Sequence, residues 1–269
     1  DFLDGVSMFY PTDAQFGTVK AASVPNGGKF LALVGSRFAY ETTGEDNQEI
    51  IGGRYQVDAT TGLYKIHSST SEVVGNREPK FIGGLNNTFH IKDLTLSFLL
   101  DFRIGGDVYN GTEYYMVSNG LSKRTLENGR EYVTVTGVDS KTGADINQTY
   151  YADQSYDING VTYSGKAMIK KYWDNYCSNS YNFITSVNWL KLRSLSVSYD
   201  FTKLIKRQNV IKRLSVTATG TNLFTWTNYK GMDPEVSTAG GTGGSGATGI
   251  DYCSVPSTSS FSFGVNLTF

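Results

Sequence analysis

Only a few residues of this 269-residue chain have types and spacings that could do chemistry. Asp233-Pro-Glu235 sets two carboxylates around a proline. Acid–base catalysis needs a pair whose surroundings push their pKa values apart. Beside a proline, and just after an aromatic strand end, this pair reads instead as the turn that fixes a loop's exit. Gly241-Thr-Gly-Gly-Ser-Gly246 fits G-x-G-x-x-G, but it lacks the leading strand and following helix that make a pyrophosphate cradle. It reads as flexible loop. Asp139-Ser-Lys-Thr-Gly-Ala-Asp145 has acids near a glycine without the ligand positions of a calcium loop, and reads as a solvated turn. The two histidines, His67 and His90, are far apart, and neither G-x-S-x-G nor H-E-x-x-H occurs. No catalytic residue, cofactor or metal is therefore expected.

Aromatics offer binding rather than catalysis. Tyr114, Tyr115, Tyr172, Trp173, Tyr176, Trp226 and Tyr229 fall in or beside long connections. Their faces can stack on sugar rings or peptide side chains while their polar tips form hydrogen bonds. Cys177 and Cys253 are too few for a disulfide scaffold and lack metal-type spacing. A thiol pair and two free thiols are both open readings.

Strands must position these residues. Phe261, Phe263, Val265, Leu267 and Phe269 alternate with Ser262, Gly264, Asn266 and Thr268, so one face is apolar and the other polar. Leu94, Leu96, Phe98, Leu100 and Phe102 alternate with Thr95, Ser97, Leu99, Asp101 and Arg103. That second face makes sense if it lines water. Phe81, Gly83, Leu85, Phe89 and Ile91 share a face, with Asn87 the exception. The short joint before Leu94 predicts a hairpin. Leu214, Val216 and Ala218 alternate with Ser215, Thr217 and Thr219, and the expected partner strand runs from Trp189 to Phe201. There Leu190 and Leu192 fall out of parity with Leu195, Val197 and Tyr199. A bulge near Arg193–Ser194 would explain this, and so would that end of the strand rising above a membrane.

Lys plus Arg (24) nearly balance Asp plus Glu (25), for a net charge of −1. Nucleic acid is not an expected partner. No apolar run approaches the roughly 18 residues of a membrane-spanning helix, which leaves a barrel open because alternating strands average out. Long stretches of about 105–186 and 225–257 read as irregular, apart from a short helix over Gly165 to Tyr176. They alternate with short connections near 91–93 and 202–211. Short turns on one side and long loops on the other characterise transmembrane barrels. Thr258 to Phe269 would extend roughly 40 Å, or about 28 Å at a ~45° tilt, matching the hydrocarbon core.

At Asn222-Leu-Phe-Thr-Trp-Thr-Asn-Tyr-Lys-Gly-Met-Asp-Pro-Glu-Val236 the chain resembles the SusC/RagA family of TonB-dependent outer-membrane transporters. That family typically reads NLFTWT-x-Y-x-G-x-DPEV, then a variable loop and a final strand ending FG-x-N-x-x-F. The second motif is met at Phe263, Gly264, Asn266 and Phe269. Pro79 to Phe89, Gly105 to Asn110 and Trp189 to Tyr199 resemble the family's preceding strands, with Ser194 in place of an asparagine. The matches span roughly residues 75 to 269.

The resemblance implies an all-β fold: the C-terminal strands of a large antiparallel transmembrane β-barrel, about 22 strands in all, with extracellular loops at about 105–186 and 225–257. A plug domain and TonB-contacting segment would precede this chain, so Asp1 reads as an internal position and Phe269 as a periplasmic C-terminus. The implied function is import of a bulky oligosaccharide or peptide across the bacterial outer membrane, with a SusD-like surface lipoprotein as lid and no enzymatic step. Phe261, Phe263, Val265, Leu267 and Phe269 would face lipid, and Trp226 and Tyr229 would join the interfacial girdle. Tyr114, Tyr115, Tyr172 and Trp173 would meet substrate or lid, or pack the loops. Cys177 and Cys253, one in each long loop outside the cell, could form a disulfide. A surface glycan-binding or adhesion β-sandwich also accounts for alternation and aromatics, but not for loop parity.

Overall fold

A computed structural model describes residues 15–16, 19–22, 32–43, 48–68, 72–205, 210–235, 249–253 and 255–269. The chain divides into two compact units.

The sheet unit comprises Glu78–Asp107, Ser186–Glu235 and Val255–Phe269. Its five strands are β1 (Phe81–Ile91), β2 (Leu94–Ile104), β3 (Trp189–Asp200), β4 (Arg213–Thr227) and β5 (Ser260–Thr268). They pair antiparallel in the order β5-β4-β3-β2-β1. Lys92-Asp93 closes the first hairpin, with Lys92 at φ 54°, the left-handed conformation a two-residue turn requires. Cross-strand partners share a face. Phe89, Leu96, Val197, Ala218 and Phe263 form one apolar row, and Ile91, Leu94, Tyr199, Val216 and Val265 another. Thr88, Ser97, Ser196, Thr219 and Ser262 form a polar row beside the first of these, on the opposite face. Hydroxyls join neighbours within it: Thr88 to Ser97 at 3.0 Å and Ser196 to Thr219 at 2.8 Å.

The expected bulge is present. Register shifts between Leu192 and Ser194 against both neighbours, leaving Arg193 as an extra residue facing β2. On β4, Asn222 and Leu223 together oppose Arg193, and Asn222 sits at φ 49°. Asparagine tolerates that left-handed backbone better than a branched residue, which gives a physical reason for Asn at this place. The bulge keeps Leu190 and Leu192 with the apolar rows and returns Trp189 and Lys191 to the polar face.

The second unit comprises the described residues of Asp1–Arg77, Val108–Thr185 and Val236–Ser254. Here the irregular stretch expected over about 105–186 is corrected. It folds into α1 (Gly111–Ser118), α2 (Gly165–Cys177), a hairpin of Tyr132–Asp139 with Asp145–Tyr151, and a smaller one of Ser155–Ile158 with Val161–Ser164. Asn110 caps α1 by accepting from Glu113 N at 2.9 Å, and Ser164 caps α2 by accepting from Ala167 N at 3.3 Å. Asp139 accepts from the amides of Lys141 and Thr142, which makes its segment a turn. The α2 stripe of Met168, Ile169, Tyr172, Trp173, Tyr176 and Cys177 follows helical spacing and serves two cores. Met168 and Ile169 pack with Val57, Val133, Val135 and Tyr150. Cys177 packs with Tyr109, Val117, Phe183 and Ile250.

Candidate functional site

The polar face of the sheet carries a cluster of five charges at the end from which the long connections leave. The bulge puts Lys191 opposite Asp101 and swings Arg193 out beside it. Lys191 Nζ donates to Asp233 Oδ1 at 2.7 Å and to Glu235 Oε2 at 2.6 Å. Arg193 donates from Nε to Asp101 Oδ2 at 2.8 Å and from Nη2 to the second oxygen of Glu235. Lys191 is only 2% exposed, and Asp233 only 7% by side chain. Trp189 lies below both cations, 5.7 Å from Lys191 Nζ and 5.5 Å from Arg193 Cζ to its ring centre, within cation–π range.

Asp233 is the hub. Its Oδ1 also accepts from Glu235 N at 3.0 Å, and its Oδ2 from Ser257 N at 3.1 Å and Ser257 Oγ at 2.5 Å. Burial works against its ionisation, but the bonds from Lys191 and Ser257 prevail and hold the carboxyl well below the ordinary range. A carboxylate so firmly ionised, with both oxygens occupied, cannot serve as a base. It ties both ends of the connection between β4 and β5 to the sheet. The expectation that Asp233-Pro-Glu235 fixes a turn holds, and its partners are the part that sequence inspection missed. The available signal was that Asp101, Lys191 and Arg193 lie at one height once the bulge is allowed.

The apolar face is exposed. Phe263 is 81% and Val265 68% accessible, and Phe81, Leu85, Phe89, Ile91, Phe224, Phe261, Leu267 and Phe269 are exposed with them. Contiguous apolar surface on this scale marks a face made for a partner or a membrane. Trp226 belongs to it, stacked on Phe224 at 5.7 Å. Tyr229 does not. It is buried, folded over Gly231, where a Cβ would come within 2.3 Å of its ring, so the girdle expected of Trp226 and Tyr229 is corrected for Tyr229.

The four aromatics expected to meet cargo or lid divide in the same way. Tyr114 meets Phe183 edge-on at 5.4 Å, and Trp173 packs between Tyr172 and Tyr176 at 5.2 and 5.4 Å. Burial pushes the Tyr172 phenol up to about 12. These three support the second unit's own cores, and Tyr115 alone is exposed. The disulfide expectation is corrected too: Cys177 is a buried free thiol and Cys253 an exposed one. Burial raises the Cys177 thiol to about 12, which suppresses its thiolate at neutral pH. Alkylation of unreduced native protein at pH 8 is expected to label Cys253 and spare Cys177 until unfolding. Peptide mapping that recovers a Cys177–Cys253 disulfide would contradict the structure.

No family model matches the chain. It is similar over its whole length, at 25% identity, to the TonB-dependent receptor P26 of Formosa agariphila, of which it spans 25%. The TonB-dependent receptor P39 of the same organism is 24% identical over 83% of this chain, which spans 19% of that protein. Among solved structures, the RagAB peptide transporter superposes on 99% of the chain with a TM-score of 0.52 at 16% identity. The RagAB peptide importer in its open-open state covers all of it with a TM-score of 0.53 at 18% identity. In each structure the match takes up 25% of the solved chain. The fold is thus shared with a part of those chains.

Proposed function

We propose, from this likeness to TonB-dependent receptors over the whole chain, that the protein forms part of the outer-membrane barrel of a TonB-dependent importer of bulky nutrients, oligosaccharide or peptide. The observation that carries the reading is the two-faced sheet. Every strand contributes to an apolar face fit for lipid and to a hydroxyl-lined face fit for a wet lumen. A soluble sandwich would cover its apolar rows with a second sheet, whereas Phe261, Phe263 and Val265 are exposed. In this reading Phe261, Phe263, Val265, Leu267 and Phe269 meet lipid, and Trp226 sits at the outer interface. The stretches at about 105–186 and 225–257 lie outside the cell, where a SusD-like lipoprotein would cap them. Energy would come through a plug and TonB, and no residue of this chain does covalent chemistry.

Fractionation and uptake test it together. Full-length protein should appear in the outer-membrane fraction as a heat-modifiable barrel. Growth on a polysaccharide or a peptide digest should require both this protein and TonB. Recovery in the soluble fraction, or uptake indifferent to TonB, would remove the reading.

A further inference from the structure

The second unit holds a cavity of about 460 Å³ between the end of α1 and one face of α2, a size typical of small-ligand sites. Val117, Ile169 and Trp173 line its apolar wall, and Lys166, Lys170 and Arg130 its charged side. The three cations differ in what they have left to give. Lys170 is paired with Asp174 at 2.6 Å. Arg130 donates through Nε and Nη2 to the carbonyls of Thr125 and Gly120, which holds the guanidinium in place and leaves Nη1 without a partner among the described residues. Lys166, one helical turn before Lys170, is exposed, and its ammonium has no hydrogen bond or ion pair among the described residues.

We propose that this cavity binds the C-terminal residue of a peptide, with the α-carboxylate on Lys166 and Arg130 Nη1 and an apolar side chain against Ile169 and Trp173. Charge and wall select the ligand together. Two unspent cations beside one already neutralised pair call for an anion. The apolar wall gains from burying an apolar side chain and offers no hydrogen bond to the hydroxyls of a sugar. The polar lining of Ser118, Asn119, Thr125 and Asp174 is already engaged with Tyr115 O, Ser122 O and Lys170. Trp173 already packs at steep angles against Tyr172 and Tyr176, which leaves less of its ring free for a pyranose. The import reading lends this site its role, as a capture point for peptide, but binding itself can be measured without transport.

Calorimetry on full-length protein in detergent, with Gly-Gly-Phe as probe, is the test. Saturable binding is expected, weakened at least tenfold when the probe is the C-terminal amide and likewise by Lys166→Glu. Gly-Gly-Ser should bind markedly less well. Lys171→Glu, a charge reversal outside the cavity whose native ammonium lies over the Tyr163 ring, should leave binding unchanged. The absence of saturable binding, equal affinity for acid and amide, or equal loss in the two lysine variants would overturn the site. A glucuronate trisaccharide bound as tightly as Gly-Gly-Phe would overturn the peptide assignment. TonB-dependent uptake that persists without this binding would remove the site and leave the import reading intact.

Discussion

Lys191→Met is expected to lower the unfolding free energy of the sheet unit by about 3–5 kcal/mol, because it leaves buried carboxylate charge unpaired. Methionine matches the lysine stem in length, so packing changes little and the lost ammonium dominates. Asp233 then keeps its bonds from Ser257 and the Glu235 amide but loses its cation, and Glu235 keeps only Arg193. Adding Asp233→Asn and Glu235→Gln to Lys191→Met should recover more than half of the loss, since the deficit lies in uncompensated charge rather than in a missing attraction. Denaturant midpoints in micelles read both variants. A Lys191→Met midpoint equal to the parent's would show the cluster to be inert. A pH titration gives an independent check. The Asp233 pKa is lowered on folding, so its contribution is fully present above the ordinary carboxylate pKa of about 3.9. It is lost as pH falls below that toward the folded value. The parent should therefore lose stability below about pH 4 more steeply than the triple variant does.

Val265→Arg is expected to impair assembly by roughly 2–4 kcal/mol if the residue lies near the bilayer midplane, while Asn266→Arg is tolerated. The two are adjacent on β5, yet Val265 continues the row of Val216 and Tyr199, and Asn266 pairs with Ser215 on the other face. The same charge one residue along therefore lands in lipid or in water. The folded, heat-modifiable fraction recovered from outer membranes measures the difference. Equal yields from the two variants would contradict the facing assigned to all five strands, because the register ties them together.

Sheet and connections differed in how readily the sequence showed them. Strands such as Leu94 to Phe102 and Phe261 to Phe269 announce themselves because one face is uniformly apolar over the whole element. The slip of Leu190 and Leu192 pointed to a bulge near Arg193–Ser194 or to a strand end clear of the membrane, and the register shift shows the bulge. Tyr132–Asp139 was harder, although Val133 and Val135 alternate and are buried, because threonine, glycine and tyrosine blur the contrast between faces. The short helix expected over Gly165 to Tyr176 is present over Gly165–Cys177. Tyr114, Tyr172 and Trp173 left contact with cargo or lid and packing of the loops equally open, because a tyrosine or tryptophan in a polar segment looks available for binding until the segment proves to have a core. The ion-pair cluster was only partly legible, for a different reason. Register with the bulge brings Asp101, Lys191 and Arg193 to one height, but Asp233 and Glu235 lie beyond the end of β4 and are placed by the fold of the connection that follows.

The central claim, that this sheet has one face in lipid and one in water, is tested most directly by spin labels at positions 265 and 266. Val265→Cys and Asn266→Cys would each be made in a Cys177→Ala, Cys253→Ser background of the full-length protein, reconstituted in bilayers. Label mobility aside, collision with oxygen, which concentrates in lipid, and with a water-soluble nickel chelate reads the surroundings. The account predicts high oxygen and low nickel accessibility at 265, and the reverse at 266. Equal accessibility of both positions to the nickel chelate would place both faces in water and contradict the barrel wall.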